Sequence, residues 1–221
     1  MLSAATPPAT RDNTFSLVAL CRASGRLAVA VSTARPAVGN RVPFVMPRVA
    51  AVATQAETNP ALGYAALRLI HSGASAENAL ETVLASDPGR EQRQLSLIDA
   101  TGNKAVFTGK TVLAENTWAG SLTGHSCIAA GNLLLDSAVL QAMVAAFETS
   151  GGFIGTRMLR ALEAGQAAGG DRRGKVSAAL LVTGEGEHPL IDLRIDLAEK
   201  PVEDLVRLYA AYTAIDPQAA G

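Results

Sequence analysis

The chain predicts an α+β sandwich in which two largely antiparallel sheets carry helices on their outer faces. Three observations support that reading. Extended runs come as hairpins: apolar, β-branched stretches at 14–21 and 26–33 flank Arg22-Ala-Ser-Gly25, and runs at 94–98 and 104–107 flank Asp99-Ala-Thr-Gly102-Asn103. Helices arrive in pairs, which is not the strict strand–helix alternation of a doubly wound parallel sheet. Apolar residues make up 48% of the 221, yet only 4% are aromatic, so Ala, Val and Leu must fill a large core.

Residues 1–13 (MLSAATPPATRDN) are polar and proline-containing, show no period, and read as a flexible leader or propeptide. They lack the charged start and apolar stretch of a secretory signal. Residues 14–221 contain no linker and read as one domain. After the first hairpin, Pro36, Pro43 and Pro47 break the chain into a loop carrying Gly39, Asn40 and Arg41. Val49-Ala-Ala-Val-Ala-Thr54 is a strand apolar enough for burial on both faces. Asn59 caps a helix with Pro60 at its first position, running on Leu62, Ala66, Leu69 and Ile70 to Gly73. Ser75 opens a second helix, on Ala79, Leu80, Val83 and Leu84, that ends before Asp87-Pro88-Gly89.

Beyond the second hairpin a strand at 126–130 leads into Gly131-Asn132, read as a strand-to-helix turn. Asp136 caps a helix that puts Val139, Leu140, Met143, Val144 and Phe147 on one face. Another helix, 156–168, stops at Gly169-Gly170. Strands at 177–182 and 190–195 flank Gly184-Glu185-Gly186. Pro201 starts a last amphipathic helix on Leu205, Leu208, Tyr209 and Tyr212.

Charge and motif content remove several functions. Nineteen Lys and Arg stand against 20 Asp and Glu, a net charge of −1, so no basic field exists to hold nucleic acid or an anionic membrane. No apolar run approaches the roughly 18–20 residues that span a bilayer. The expected partner is therefore a small-molecule substrate. Cys21 and Cys127 lie in apolar strand-like stretches and read as reduced thiols, which points to the cytoplasm. His71, His125 and His188 have no ligand-spaced partners, so neither metal nor other cofactor is expected. Gly169-Gly-Asp-Arg-Arg-Gly174-Lys175-Val176 approximates a phosphate loop. Val176 nevertheless occupies the place of the magnesium-binding hydroxyl, and the order helix–loop–strand is inverted.

The chemistry concentrates on Thr14. A threonine at the head of a processed chain carries both a nucleophile and a base: its hydroxyl attacks, and its α-amine (reference pKa about 8) takes the proton. Ser32 and Thr33 end the strand expected to pair beside it, and Gly131-Asn132 offers N–H groups and an amide for an oxyanion. Thr54 and Gln55 put polar groups at the end of an apolar strand, as a pocket wall. Ser177, opening the strand after the Gly-rich loop, joins the substrate-binding candidates. Arg35, Arg41, and Arg172 beside Asp171 lie in loops, where a guanidinium fits a substrate carboxylate.

Several segments, in this order and spacing, resemble one family. They are Thr14-Phe-Ser-Leu-Val-Ala19, Gly25-Arg-Leu-Ala-Val-Ala-Val31, Pro36-Ala-Val-Gly39, Ala51-Val-Ala-Thr-Gln55, Arg93-Gln94, Gly131-Asn-Leu-Leu134, Ala161-Leu-Glu-Ala-Gly165 and Asp192-Leu-Arg-Ile-Asp196. The chain from about 14 to 213 is similar to the domain-of-unknown-function family 1028, placed among the Ntn-hydrolase-like proteins. The resemblance implies a four-layer αββα sandwich with an amide-hydrolase site at the end of the sheets, and it implies no particular substrate. The family pattern opens at Met-Thr-Phe-Ser, whereas here residues 1–13 precede the Thr. A family His after the Leu-Arg strand has no counterpart in Asp196-Leu-Ala-Glu199. The expectation is an Ntn-type amidohydrolase that cleaves a C–N bond in a small, carboxylate-bearing metabolite. The competing reading is a non-catalytic ligand-binding or interaction protein of the same fold. Ala-rich helix faces (Ala142, Ala145, Ala146) and the prevalence of two-fold assemblies predict a homodimer or higher homo-oligomer.

Overall fold

The computed structural model describes residues 14–115, 117–170 and 174–216. The leader 1–13, Asp171 and Arg172 lie outside them. The elements run β1 (Thr14–Leu20), β2 (Leu27–Thr33), β3 (Pro43–Met46), β4 (Ala50–Ala56), α1 (Pro60–His71), α2 (Ala76–Ala85), β5 (Arg93–Asp99) and β6 (Lys104–Thr108). They continue with α3 (Lys110–Glu115), β7 (Ala119–Thr123), β8 (Cys127–Asn132), α4 (Ala138–Thr149), α5 (Ile154–Ala167), β9 (Ser177–Thr183), β10 (Pro189–Ile195) and α6 (Pro201–Ile215).

The strands form a six-stranded sheet, β10-β9-β2-β1-β8-β7, and a four-stranded sheet, β3-β4-β5-β6, and every pairing is antiparallel. Three apolar clusters correspond to the three interfaces of a four-layer αββα sandwich. One packs α4, α5 and α6 on the larger sheet through Phe15, Leu17, Ala28, Ala30, Met143 and Leu205, among others. A second packs α1 and α2 on the smaller sheet through Val52, Leu67, Leu80 and Leu95. The third lies between the sheets, on Val18, Val29, Val31, Ala51, Ala53 and Ile98. Each central strand is thus covered on both faces, which is why β1 and β2 are buried at every position and read as unbroken apolar runs.

Local chemistry accounts for the element ends. Gly25 takes φ 68 at the β1–β2 turn, a backbone region that glycine enters without steric cost. The Asn59 side chain accepts from the Ala61 N–H at 3.1 Å, and Ser75 Oγ accepts from the Asn78 N–H at 3.1 Å, so both helices of the first pair start where their caps predict. Asp136 Oδ1 accepts from the Ala138 N–H at 2.7 Å at the head of α4.

Three elements depart from the sequence reading. β3 lies inside the stretch read as a loop: Pro43 is the first residue of a strand at the sheet edge, a position where a missing N–H breaks no ladder. The short, half-exposed α3 and β7 carry too little apolar periodicity to be recognised. Because β7 exists, Gly131 and Asn132 are not a turn but the last two residues of β8, paired with Phe15 and Thr14 on one side and with Gly120 and Ala119 on the other.

Candidate functional site

Strand alternation decides which side chains meet. On β1 the residues Phe15, Leu17 and Ala19 point to the helices, so Thr14, Ser16, Val18 and Leu20 face the other sheet. The inter-sheet layer is apolar along most of its length and becomes polar at the end where Thr14 begins β1. There Thr14, Ser16, Thr33, Gln55, Gln94, Ser96 and Asn132 are all buried.

These groups form a hydrogen-bonded set. Thr14 Oγ1 and Thr33 Oγ1 lie 2.9 Å apart across the β1–β2 ladder. Ser16 Oγ donates to Gln55 Oε1 at 2.7 Å, and Gln55 Nε2 donates to Gln94 Oε1 at 2.7 Å. Gln94 Oε1 also accepts from Asn132 Nδ2 at 3.1 Å, while Gln94 Nε2 has Thr108 Oγ1, the Gly120 carbonyl and the Gly131 carbonyl within 3.0–3.1 Å. Gln94 therefore ties β5 of the smaller sheet to β7 and β8 of the larger one, beside the Thr14–Asn132 pair. Buried amides in such a set hold one geometry, because any other leaves polar groups unpaired in a medium without water. Ser96 Oγ is the exception: it is buried and has no hydrogen-bond partner among the described residues.

A cavity of about 60 Å³ opens on Thr14 and Thr33, and Arg35, Arg41, Glu57 and Thr58 are among the residues lining it. The two arginines come from the segment after β2, a short 3-10 turn at Val38–Asn40, and Glu57 follows β4. Arg41 Nη2 donates to the Thr58 carbonyl at 3.3 Å. The loop carrying Glu57 is held by Arg93, whose Nη1 donates to the Glu57 carbonyl at 2.6 Å and whose Nε donates to Asp87 Oδ2 at 2.7 Å. That guanidinium holds the Asp87 carboxyl below its ordinary pKa, and the carboxylate in turn raises that of Arg93.

Backbone strain gathers at the same end. Among the described residues four non-glycine residues take positive φ, and three of them flank this site: Ala37 (φ 58), Ala56 (φ 65) and Leu133 (φ 56). A left-handed non-glycine residue costs on the order of 1 kcal/mol or more, and such residues persist where the surroundings over-determine them. The fourth, Arg48 at φ 60, lies in the β3–β4 turn.

The structure brings together Thr14, Thr33, Asn132 and Gln55 with the loop arginines Arg35 and Arg41. Ser177 joins them indirectly: it pairs with Thr33, donates its hydroxyl to the Arg35 carbonyl and accepts the Val38 N–H at 3.2 Å. Two candidates face the wrong way. Ser32 shares the helix-side face of Ala28 and Ala30, and its Oγ donates to the Ser177 carbonyl at 3.2 Å. Thr54 shares the α1-side face of Ala50 and Val52, and its hydroxyl donates to the Asn59 carbonyl at 3.4 Å. In both dipeptides the two-residue period of a strand sends neighbours to opposite faces. Gly131 contributes no turn amide. It is a ladder residue where a Cβ would come within 2.5 Å of Leu134 Cδ1.

Sequence reasoning missed Gln94, Ser16, Thr108 and Glu57. Gln94 carried a usable signal, a polar residue at the inward position of an otherwise apolar strand, like Gln55. Cys21 and Cys127 are both free thiols. Cys127 is buried, and burial together with the nearby Glu148 charge pushes its pKa up to about 12. Among the described residues no three His, Cys, Asp or Glu side chains are grouped to hold a metal, and no helix is long and apolar enough to cross a membrane.

The fold and site define an α+β protein of the four-layer αββα type, with a buried polar cluster where the sheets end. The family model for a family of unknown function, DUF1028, matches residues 14–205, and the chain belongs to that family. It is similar to protein SPO2555 from Silicibacter pomeroyi, of the same family model, at 35% identity and a TM-score of 0.83, covering 91% of this chain and 89% of that one. A second solved structure, Anbu (ancestral beta-subunit) from Yersinia bercovieri, aligns over 94% of this chain and 98% of its own at 11% identity. The TM-score of that alignment is 0.41. No curated protein matches the chain.

Proposed function

We propose that this protein is an amidohydrolase of the N-terminal-nucleophile type, acting on a small metabolite that bears a carboxylate, with Thr14 as nucleophile. The observation that carries the reading is the place of Thr14. It begins the central strand β1, and its hydroxyl lies against Thr33 in a cavity with two arginines in its wall. Strain at Ala37, Ala56 and Leu133 around that cavity supports it.

The mechanism follows from what the hydroxyl lacks. Among the described residues its hydrogen-bond partner is another hydroxyl, Thr33 Oγ1, which is no base at neutral pH. Cleavage of the Asn13–Thr14 bond creates an α-amine on the same residue, with a reference pKa of about 8. Thr14 Oγ then bonds to the substrate carbonyl carbon as its proton passes to that amine. Collapse of the tetrahedral intermediate breaks the C–N bond, and the amine returns the proton to the leaving nitrogen. Water hydrolyses the resulting Thr14 ester by the same proton route in reverse. Arg35 and Arg41 would hold the carboxylate. Asn132 is the side-chain amide nearest in register to Thr14, and it supplies the oxyanion donor in this scheme.

Intact mass and N-terminal sequencing, followed by a screen of small carboxylate-bearing amides, test the proposal. A chain starting at Thr14 should turn over a substrate that its Thr14→Ala variant binds but does not cleave. Equal turnover by a chain that retains residues 1–13 would sink the α-amine mechanism. A second reading, a non-catalytic binder, has one observation in its favour: Thr14 is only 5% exposed. Binding without turnover by the Thr14-first chain would establish it.

A further inference from the structure

The outermost strands of a sheet expose a row of N–H and C=O groups, and proteins blunt such edges with proline, charge, bulges or short length. Among the described residues the two sheets have four edge strands, β3, β6, β7 and β10, and three are blunted. β3 has four residues and opens on Pro43. β6 opens on Lys104. β10 opens on Pro189, shifts register before Ile191, and carries the exposed charges Asp192 and Arg194. β7, Ala119-Gly-Ser-Leu-Thr123, has no charge, no proline and an unbroken register with β8. Its Ser121, Leu122 and Thr123 are exposed.

The phase of β7 decides which groups are left over. The Gly124 N–H donates to the Cys127 carbonyl at 3.0 Å. Alternation along the antiparallel ladder then turns the backbone groups of Gly120 and Leu122 toward β8 and those of Ala119, Ser121 and Thr123 outward. The outward groups have no partner among the described residues.

This edge is complementary to itself. Set antiparallel to its own copy with Ser121 on a two-fold axis, it pairs Ser121 with Ser121 and Ala119 with Thr123, and no charge meets its like. In the same register Leu122 stands opposite Gly120, a large side chain facing a residue without one. Trp118 roofs that glycine, since a Cβ there would lie 3.1 Å from Trp118 Cη2, and the ring gives Leu122 an apolar contact.

We infer that β7 is the docking edge for a second copy of this chain, forming a two-fold dimer in which two six-stranded sheets become continuous. The interface borders the candidate site: Ala119 pairs with Asn132, and the Gly120 carbonyl lies 3.1 Å from Gln94 Nε2. The partner strand braces the outer flank of the buried polar cluster.

Analytical ultracentrifugation of the full chain should show a dimer. Ser121 is exposed and its N–H points away from β8, so substitutions there spare the β7–β8 ladder. Ser121→Lys and Ser121→Glu each place like charges across the axis and should raise the dimer Kd about tenfold or more, whereas an equimolar mixture of the two should dimerise again. Hydrogen exchange on the unsubstituted chain decides the matter where a variant fails to fold. The Ser121 and Thr123 amides should be protected where the dimer forms and exchange freely on dilution below its Kd. A monomer at every concentration, a dimer indifferent to both variants, or two folded variants that do not reassociate on mixing overturns the inference. So does fast exchange of both amides within a dimer, which places the contact elsewhere and leaves β7 to a chain of different sequence.

Discussion

Gln94 and Ser96 sit two residues apart on β5, face the same interior and have opposite energetics. Gln94 satisfies Gln55, Asn132 and two strand carbonyls at once, so Gln94→Ala leaves several buried polar groups unpaired. At about 1–3 kcal/mol for each orphaned group, the expected loss is roughly 3 kcal/mol or more. Among the described residues Ser96 Oγ has no partner to lose, so Ser96→Ala removes a desolvated hydroxyl and should be neutral or stabilising by up to about 1 kcal/mol. Urea titration of both variants checks the contrast, and a Ser96→Ala loss above about 1 kcal/mol would mean that the hydroxyl has an unseen partner such as water. Residue identity is where the sequence was most informative about the site. Thr33 and Gln55 stand out in the sequence as polar residues at the ends of apolar strands, Thr14 as the threonine that follows the leader, and Asn132 as an amide after a strand. Their neighbours Ser32 and Thr54 look identical in sequence, and only the phase of each strand separates them.

Among the elements, the first helix pair docks on the smaller sheet through a close approach at Gly63. A Cβ there would stand 2.4 Å from Phe44 Cδ2, on a ring that also meets Tyr64 edge-on with centroids 4.8 Å apart. Helix propensity alone favours Gly63→Ala by about 1 kcal/mol, whereas overpacking costs about 1–3 kcal/mol. Overpacking should win. The variant is expected to lose roughly 1 kcal/mol in urea melts and to shift Phe44 resonances; a stabilised variant would show that β3 yields freely. Elements with strong local signals were legible: Asn59, Pro60 and Ser75 mark helix starts that the structure keeps. The β3, α3 and β7 segments were not. Edge strands and two-turn helices draw their stability from neighbours, and no window of sequence contains the neighbour.

For the whole molecule, acid stability follows from two carboxyls. Asp87 is held below the ordinary 3.8 by Arg93, and Asp99, which burial alone would raise, is pulled below it by hydrogen bonds from Thr101 and Asn103. A depressed folded pKa adds stability that is complete above the unfolded value and is lost as pH falls through the folded one. The urea midpoint should therefore hold down to about pH 4 and fall below it. Asp87→Asn should lower the midpoint at pH 7 and flatten that acid decline; an unchanged acid slope would remove Asp87 from the account. By itself the sequence determined the α+β class, because hydrophobic period, turn residues and helix caps are local properties written in consecutive residues, while the order of its segments carried the resemblance that implied the family and the four layers. Only the tertiary structure decided the site: the Gln94 hub, the Arg93 clamp on Glu57 and the shared cavity of Thr14 with Arg41. Those contacts join positions tens of residues apart, and their chemistry appears only when two sheets close on each other and exclude water.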